Sequence, residues 1–288
     1  MQNVSVLITS YLRFYSMYRC AKSVREKYPE IPIMVVDDSG VGEEYFKAPK
    51  KEIGYELVNM PEDSGLAAKR NEGLKRLKTD YVVLMDDDFT LDKRSGLDKM
   101  KNVLEEDDSL ALVAGSLDYG DGKGVRVFAK NLEIDRDEMV FSVLNINEEQ
   151  REEKQTKKGI RYIYADYFFN FMMMRRKARK VRWNDNLKIG IEHIDFCIRL
   201  KENKRWRSAV VPEVIANHYH DESSKRYKKM RRRKDFWLKF YKETGFNLGH
   251  NKVDGLTISY KDGEVIPGPE YAFRVNIKMN KKKLLKEV

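Results

Sequence analysis

Three consecutive carboxylates, Asp86, Asp87 and Asp88, follow an apolar run at residues 81–85. The run has the length and composition of a strand buried on both faces, as in a parallel sheet. Three acids at its end repel one another, and a divalent cation such as Mg²⁺ or Mn²⁺ removes that repulsion because it prefers hard oxygen ligands. Open α/β sheets also bind ligands at the carboxyl ends of their strands. The stretch therefore predicts a metal-assisted ligand site, with a solvated acidic turn as the alternative.

A second apolar run, at residues 31–36, also ends in carboxylates. Asp37 and Asp38 follow it directly, and small turn residues come next. The same arrangement of a buried strand with acids at its carboxyl end thus occurs twice in the first ninety residues.

A helical segment at residues 63–74 carries two bases, Lys69 and Arg70. Asp63 or Ser64 can cap this helix, because a side-chain oxygen at that position accepts from the first free backbone amides. A helix N-terminus with bases nearby suits an anionic group such as a diphosphate. An ordinary capped amphipathic helix is the alternative.

The second half of the chain offers acids at the start of one helix and histidines at the end of one strand. These residues are Glu192, His193 and Asp195 in the first turn of the helix, and His218 and His220 after a strand at residues 209–216. A His-x-His pattern on a strand places both imidazoles on one side, which favours metal binding. The alternatives are helix-dipole chemistry for the acids and ordinary polar contacts for each histidine.

The alternation of strands and helices that carries these residues predicts an α/β fold. It indicates right-handed βαβ units and a central, mainly parallel sheet flanked by helices. The predicted strands are residues 4–9, 31–36, 55–59, 81–85, 110–117, 209–216, 256–260 and 271–277, and the predicted helices include residues 12–28 and 95–107. Residues 118–146 are typical of hairpins, and the methionines at residues 172–174 are expected in the core.

The composition is that of a globular, strongly basic protein. Its 288 residues carry a formal net charge of +10, and residues 224–234 hold eight bases and no acid. A phosphate-bearing substrate, a nucleic acid or an anionic membrane face would each explain the excess. Two cysteines, no apolar run of transmembrane length and no signal-peptide pattern predict a cytoplasmic protein, with peripheral contact to an anionic membrane as a further expectation.

The order of these motifs over residues 3–240 resembles the GT-A glycosyltransferases, particularly the large inverting family 2. Five segments support this resemblance: VVDDSG at residues 35–40, SGLAAKRNEGL at 64–74, YVVLMDDDF at 81–89, the acidic helix start at 192–199 and the histidine-bearing strand end at 215–220. SGLAAKRN and DDDF are also similar to the β-1,4-N-acetylgalactosaminyltransferases. The resemblance implies a GT-A domain at residues 1–243, with a nucleotide-sugar half at 1–95 and an acceptor half at 96–243. Residues 244–288 are predicted to form a small, basic, β-rich appendage.

The resemblance implies a UDP-sugar donor and a divalent cation, Mn²⁺ or Mg²⁺. Asp86 and Asp88 match the Asp-x-Asp motif, with Asp88 on the metal, Asp86 near the ribose and also a candidate metal ligand, and His218 or His220 completing the coordination. Basic residues between 225 and 234 are expected to close over the diphosphate. The candidate nucleotide-binding residues are Thr9, Tyr11, Asp37, Asp38, Gly65, Lys69, Arg70, Asp86 and Asp87.

An inverting transfer also needs a base that deprotonates the acceptor hydroxyl. Family members often carry Glu-Asp at the start of the acceptor-side helix, with the Asp as base, but His193 occupies that Asp position here. The base could be His193, Asp195 or Glu192. Asp195 is favoured, because related sequences with a His-x-acid pattern retain the acid.

These features predict an enzyme that moves GalNAc, Gal, GlcNAc or Glc from a UDP-sugar to a hydroxyl of a glycan or glycolipid acceptor. One alternative is a sugar-nucleotide nucleotidyltransferase, but residues 9–13 lack the glycine-rich loop that those enzymes usually carry. Another is a non-catalytic nucleic-acid-binding protein that uses the bases and aromatics of residues 224–237. Acids at two strand ends would repel nucleic-acid phosphates, so no nucleic-acid partner is expected.

Overall fold

A computed structural model describes residues 1–219, 225–231, 235–252, 256–261 and 264–267. The helices are α1 (Phe14–Lys27), α2 (Lys47–Ile53), α3 (Leu66–Arg76), α4 (Leu97–Glu106), α5 (Glu192–Glu202), α6 (Lys225–Arg231) and α7 (Asp235–Thr244). The strands are β1 (Val4–Ser10), β2 (Ile33–Asp37), β3 (Glu56–Asn59), β4 (Tyr81–Asp86), β5 (Phe89–Leu91), β6 (Leu110–Asp118), β7 (Val125–Arg126), β8 (Lys130–Asp135), β9 (Val140–Asn145), β10 (Glu153–Gln155), β11 (Arg161–Tyr164), β12 (Met172–Arg175), β13 (Arg207–His218), β14 (Leu248–Asn251), β15 (Leu256–Lys261) and β16 (Glu264–Pro267).

An 11-stranded sheet forms the centre of the molecule and confirms the predicted α/β fold. Its strand order is β10-β11-β13-β6-β12-β4-β1-β2-β3, with β5 on β13 and β7 on β6. The four strands β3, β2, β1 and β4 run parallel, as do β6 and β13, while β12 enters antiparallel between β4 and β6. All residues of β1 and β2 are buried, because helices or loops cover both faces of this sheet.

A smaller sheet joins the 130–145 hairpin in the middle of the chain to the last described strands. Its order is β16-β15-β14-β9-β8, and β14 pairs in parallel with β9. The strand predicted at residues 256–260 is therefore present as β15, whereas the one predicted at 271–277 lies outside the described residues. Because β14–β16 pair with the 130–145 hairpin, the part after residue 243 shares a sheet with the predicted acceptor half.

Tight packing fixes helix α3 against the main sheet. Gly73 faces Leu7 of β1 so closely that a Cβ on the glycine would collide with the leucine side chain. On the neighbouring face, Trp183 stacks on Phe196 of α5, with the ring centroids 3.8 Å apart and the planes 4° from parallel. The methionines of β12 are fully buried, which confirms that they belong to the core. The start of α3 is thereby held at the carboxyl edge of β1.

The predicted cap of helix α3 is wrong. The N-cap is Gly65 with φ +98°, and no side chain caps the helix. Asp63 adopts a left-handed backbone, and the Ser64 hydroxyl donates to the Pro61 carbonyl at 2.6 Å, so neither side chain reaches the helix amides. Across the described residues, none of the helices combines enough length and apolar character to cross a bilayer.

We expect Gly115→Ala to destabilise the protein by about 1–3 kcal/mol, because overpacking a full core forces neighbours to shift. A Cβ at Gly115 would lie 2.6 Å from the Val214 carbonyl oxygen and 2.6 Å from the Phe171 ring. Urea unfolding measures the effect. Gly42→Ala is the matched control, since its Cβ meets nothing within 4 Å, and it should stay within about 0.5 kcal/mol of wild type. Equal stabilities of the two variants would contradict this packing.

Candidate active site

A pocket opens at the carboxyl ends of β1, β2 and β4. Eight of the residues predicted to bind nucleotide or metal line it: Thr9, Tyr11, Asp38, Gly65, Lys69, Asp86, Asp87 and Asp88. Arg13, Asp63, Lys188 and Tyr227 also line it and were not among the predicted site residues. Parallel pairing of β1 with both β2 and β4 brings these groups together, because it places the strand ends side by side.

Asp38 joins the ends of β1 and β2 to the start of α3. Its carboxylate accepts from the Gly65 backbone amide at 2.7 Å and pairs with Lys69, whose ammonium also donates to the Ser10 carbonyl at 2.7 Å. The Leu66 amide donates to the Lys188 carbonyl. The first two amides at the start of α3 are thus already bonded within the protein, which limits the predicted helix-terminus anion site to later amides.

Asp37 faces the other side of its strand. Its side chain accepts from the backbone amide and the hydroxyl of Ser39 and is almost fully buried. Burial raises the pKa of the Asp37 carboxyl, and the Ser39 hydrogen bonds oppose this effect. The structure therefore places Asp38, and not Asp37, in the pocket.

Asp86 is held by partners from two directions. Arg70, which is 2% exposed, donates to one carboxylate oxygen at 2.9 Å, and Asn170 donates to the other at 3.1 Å. The opposite side of the Arg70 guanidinium lies 4.0 Å from the Glu192 carboxylate. A buried arginine, Arg70, thus links the end of β4 to the first turn of α5.

Arg13 bridges the other two acids of the run. One guanidinium nitrogen pairs with Asp87, and the second donates to Asp88 Oδ2 at 2.8 Å. Burial raises the pKa of the Asp87 carboxyl, whereas hydrogen bonds and charge from His218 and Arg13 outweigh burial and lower the pKa of Asp88. Sequence reasoning missed Arg13. The feature that could have identified it is an arginine shortly after the first strand, at the same sheet edge as the acids.

Strand pairing brings His218 to Asp88. β5 pairs antiparallel with β13, so that His218 lies opposite Phe89, the residue after the acids. His218 Nε2 is 3.3 Å from Asp88 Oδ2, and the Tyr219 amide donates to the Asp88 carbonyl at 2.9 Å. His220, the other predicted histidine, lies outside the described residues.

Asp88 and His218 have the chemistry of a partial cation site. Within residues 1–219 and the four later described segments, no three His, Cys, Asp or Glu side chains are arranged as a metal-binding group. A divalent cation at a diphosphate, however, usually takes only one or two protein ligands, and phosphate oxygens and water supply the rest. One carboxylate and one imidazole that meet at 3.3 Å fit such a shared cation.

The three candidate bases differ in their contacts, and none of them lines the pocket. Glu192 is buried near Arg70. His193 donates from Nε2 to the Phe168 carbonyl at 2.6 Å, and burial, together with the charge of Arg70, lowers its pKa to about 4. Asp195 is 1% exposed and accepts from Arg199 on the same helix at 2.6 Å.

The family model for glycosyl transferase family 2 matches residues 5–183 of this chain. The mouse β-1,4 N-acetylgalactosaminyltransferase 1 is 34% identical over 119 residues, which are 40% of this chain and 21% of the mouse protein. The uncharacterized glycosyltransferase YwdF of Bacillus subtilis is 28% identical over 126 residues, 43% of this chain and 46% of YwdF. The chain thus matches about a fifth of the length of its mammalian relatives.

Solved structures of glycosyltransferases share the fold. GalNAc-T7, crystallised with UDP, GalNAc and Mn²⁺, superposes with a TM-score of 0.57 at 13% identity, covering 75% of this chain and 44% of GalNAc-T7. Staphylococcus aureus TarS 1–349 in complex with UDP-GlcNAc gives a TM-score of 0.52 at 15% identity, covering 77% of this chain and 59% of TarS. At these identities the likeness concerns the fold alone.

We expect His193 to contribute a loss of stability on acidification, which the raised pKa of Asp87 opposes over the same pH range. The folded pKa of His193, about 4, lies below the ordinary value of 6.5, so the unfolded chain binds more protons between these values. The contribution of His193 to stability is fully present above about pH 6.5 and is lost as the pH falls towards 4, by an amount on the order of 1–3 kcal/mol. Urea midpoints at pH 7.5 and pH 5 measure this loss. Between these two pH values, His193→Gln should lose clearly less stability than wild type. An identical pH dependence of the two proteins would contradict the lowered pKa of His193.

Proposed function

This chain belongs to glycosyltransferase family 2 and has the GT-A fold, and from that premise we propose that it transfers a sugar from a UDP-sugar to a hydroxyl of a glycan or glycolipid. The observation that carries the proposal is the presence of Asp86, Asp88 and His218 at one sheet edge, beside the buried bases Lys69 and Arg70 and the half-buried Arg13. A nucleoside diphosphate needs both a cation site and positive groups, and this edge offers both.

We propose an N-acetylhexosamine as the transferred sugar, with GalNAc as the first choice. The relatives in mammals are named for N-acetylgalactosamine transfer, and the two superposed structures were solved with GalNAc or UDP-GlcNAc. Gal and Glc are the other candidates. A cytoplasmic location, contact with an anionic membrane and the division into residues 1–95, 96–243 and 244–288 stay predictions.

Asp88 and His218 would hold the divalent cation, with Asp86 beside them. When bound, the cation supplies Lewis-acid stabilisation of the departing nucleoside diphosphate. The protein's own contribution is positional. Lys69 and Asp38 tie the start of α3 to the strand ends, and Arg70 keeps Asp86 oriented through a bond of 2.9 Å. Holding these groups in place before the donor arrives lowers the cost of ordering the site during the reaction.

Among the three candidate bases, the contacts favour His193 over Asp195. Because Nε2 donates to the Phe168 carbonyl, the neutral ring keeps a lone pair on Nδ1, which is buried and has no hydrogen-bond partner among the described residues. Proton transfer to Nδ1 would require the acceptor hydroxyl to reach this buried atom, and a ring with a pKa of about 4 is a weak base. The low pKa keeps the ring neutral. Asp195 is engaged by Arg199, which suits a residue that orients α5. Deprotonation of the acceptor by His193 would accompany inversion at the sugar.

We expect Asp88→Ala to abolish turnover and Mn²⁺-dependent nucleotide binding while the protein stays folded. Calorimetric titration of UDP, and then of UDP-GalNAc, UDP-GlcNAc, UDP-Gal and UDP-Glc, with and without Mn²⁺, measures this. Wild type should bind UDP in the micromolar range only with Mn²⁺, and the tightest sugar nucleotide identifies the donor. Arg207→Gln, which changes the ion pair with Glu152 outside the pocket, is the control. No binding of any nucleotide to wild type would overturn the proposed function.

We expect His193→Gln to keep UDP binding and to lose sugar transfer by about 10²–10⁴-fold, the usual contribution of a general base. Asp195→Asn and Glu192→Gln, assayed in parallel, should lose less of the transfer rate than His193→Gln does. Each variant is compared by UDP affinity and by transfer rate at saturating donor. If Asp195→Asn is the variant that binds UDP normally and loses transfer, Asp195 is the base.

A further inference from the structure

Arg13 lines the pocket beside the acid run Asp86–Asp88. It is the N-cap residue of α1, three positions after the last residue of β1, and its side chain is 12% exposed. Its guanidinium pairs with Asp87 and Asp88 together and lies over the ring of Tyr227, 4.7 Å from the ring centroid. The two acids raise the pKa of Arg13 against the opposing effect of burial, so its charge is permanent.

The arginine and the candidate cation site use the same oxygen. Arg13 Nη1 lies 2.8 Å from Asp88 Oδ2, and His218 Nε2 lies 3.3 Å from that same atom. Arg13 has five donors and no acceptor, so it cannot become a metal ligand. A divalent cation on Oδ2 would therefore both take this oxygen and repel the guanidinium.

We propose that Arg13 is an internal counter-cation that holds Asp87 and Asp88 before substrate arrives and couples metal binding to nucleotide binding. This inference rests on the proposed function. A metal ion that bound Asp88 Oδ2 without nucleotide would displace the Arg13 guanidinium and leave Arg13 without that partner. When the diphosphate arrives with the metal, its oxygens supply a new anionic partner for the guanidinium, because arginine matches phosphate geometry in a bidentate manner. Arg13 is thus a positioning residue that opposes binding of metal alone.

The proposal predicts a reciprocal coupling. If UDP tightens Mn²⁺ binding by a given factor, Mn²⁺ must tighten UDP binding by the same factor. In wild type, the size of this factor depends on the free energy of moving the Arg13 guanidinium from Asp88 to the diphosphate. Removing the arginine's charge should tighten binding of Mn²⁺ alone and reduce the coupling factor, which is a change that a purely structural role would not produce.

The test is a titration of Mn²⁺, followed by electron paramagnetic resonance, with and without saturating UDP. In wild type, UDP should tighten Mn²⁺ binding by at least about tenfold. In Arg13→Gln, Mn²⁺ alone should bind about tenfold more tightly than it does to wild type, and UDP should add only a few-fold more. Equal or weaker binding of Mn²⁺ alone to Arg13→Gln, with wild-type coupling, would overturn the inference.

Two further variants keep the test decisive. Arg207→Gln is the matched control, because both terminal nitrogens of Arg207 pair with an acid, Glu152, and the pair lies outside the pocket. Its Mn²⁺ binding should equal that of wild type. Arg13→Lys replaces Arg13→Gln in the test if the latter fails to fold, because lysine keeps the positive charge but cannot bind both acids through two nitrogens. The factor by which UDP tightens Mn²⁺ binding to Arg13→Lys should lie between those of wild type and an uncharged variant. Failure of wild type to bind UDP with Mn²⁺ would instead overturn the proposed function, so the two failures are distinguishable.

Discussion

Charge compensation away from water is the constraint on which this sheet edge depends. Four aspartates lie at the carboxyl ends of neighbouring strands, where two of them are almost fully buried. The cost of removing an unpaired carboxylate from water is several kcal/mol, so each acid must have a cationic partner. The pairs are Asp38 with Lys69, Asp86 with Arg70, and Asp87 and Asp88 with Arg13. The pKa of the Asp87 carboxyl is nevertheless raised by burial, so Arg13 compensates this acid only in part. The edge can therefore accept a further positive charge.

The same constraint explains why α3 packs so tightly on the sheet. Lys69 and Arg70 are adjacent on one helix, yet they reach the ends of two different strands, β2 and β4. They reach both strand ends because the helix lies close to β1, where the absence of a side chain at Gly73 makes room for Leu7. Packing and electrostatics therefore fix the helix in the same position, and a shift of either would leave a buried acid without its partner.

The sequence was sufficient for the parts of the site that local patterns encode. Asp38, Lys69 and Asp88, from the two acid-bearing strand ends and the basic helix, all line one pocket. The sequence was insufficient where contacts join distant segments. His218 reaches Asp88 through the pairing of β5 with β13, and β14 pairs with β9 across a hundred residues of chain. The predicted cap failed for a related reason, because the Gly65 amide is satisfied by Asp38, a residue 27 positions away.

A histidine at position 193, where the family resemblance predicts an aspartate, is consistent with this charge distribution. The ring lies close enough to Asp86 and Arg70 for both charges to act on its pKa, and Glu192 is its neighbour in the chain. A carboxylate at this position would add one more buried negative charge to this edge. A neutral imidazole adds none, and its hydrogen bond to the Phe168 carbonyl fixes which nitrogen can accept a proton. The proposed base at His193 would thus leave the charge compensation at the strand ends unchanged.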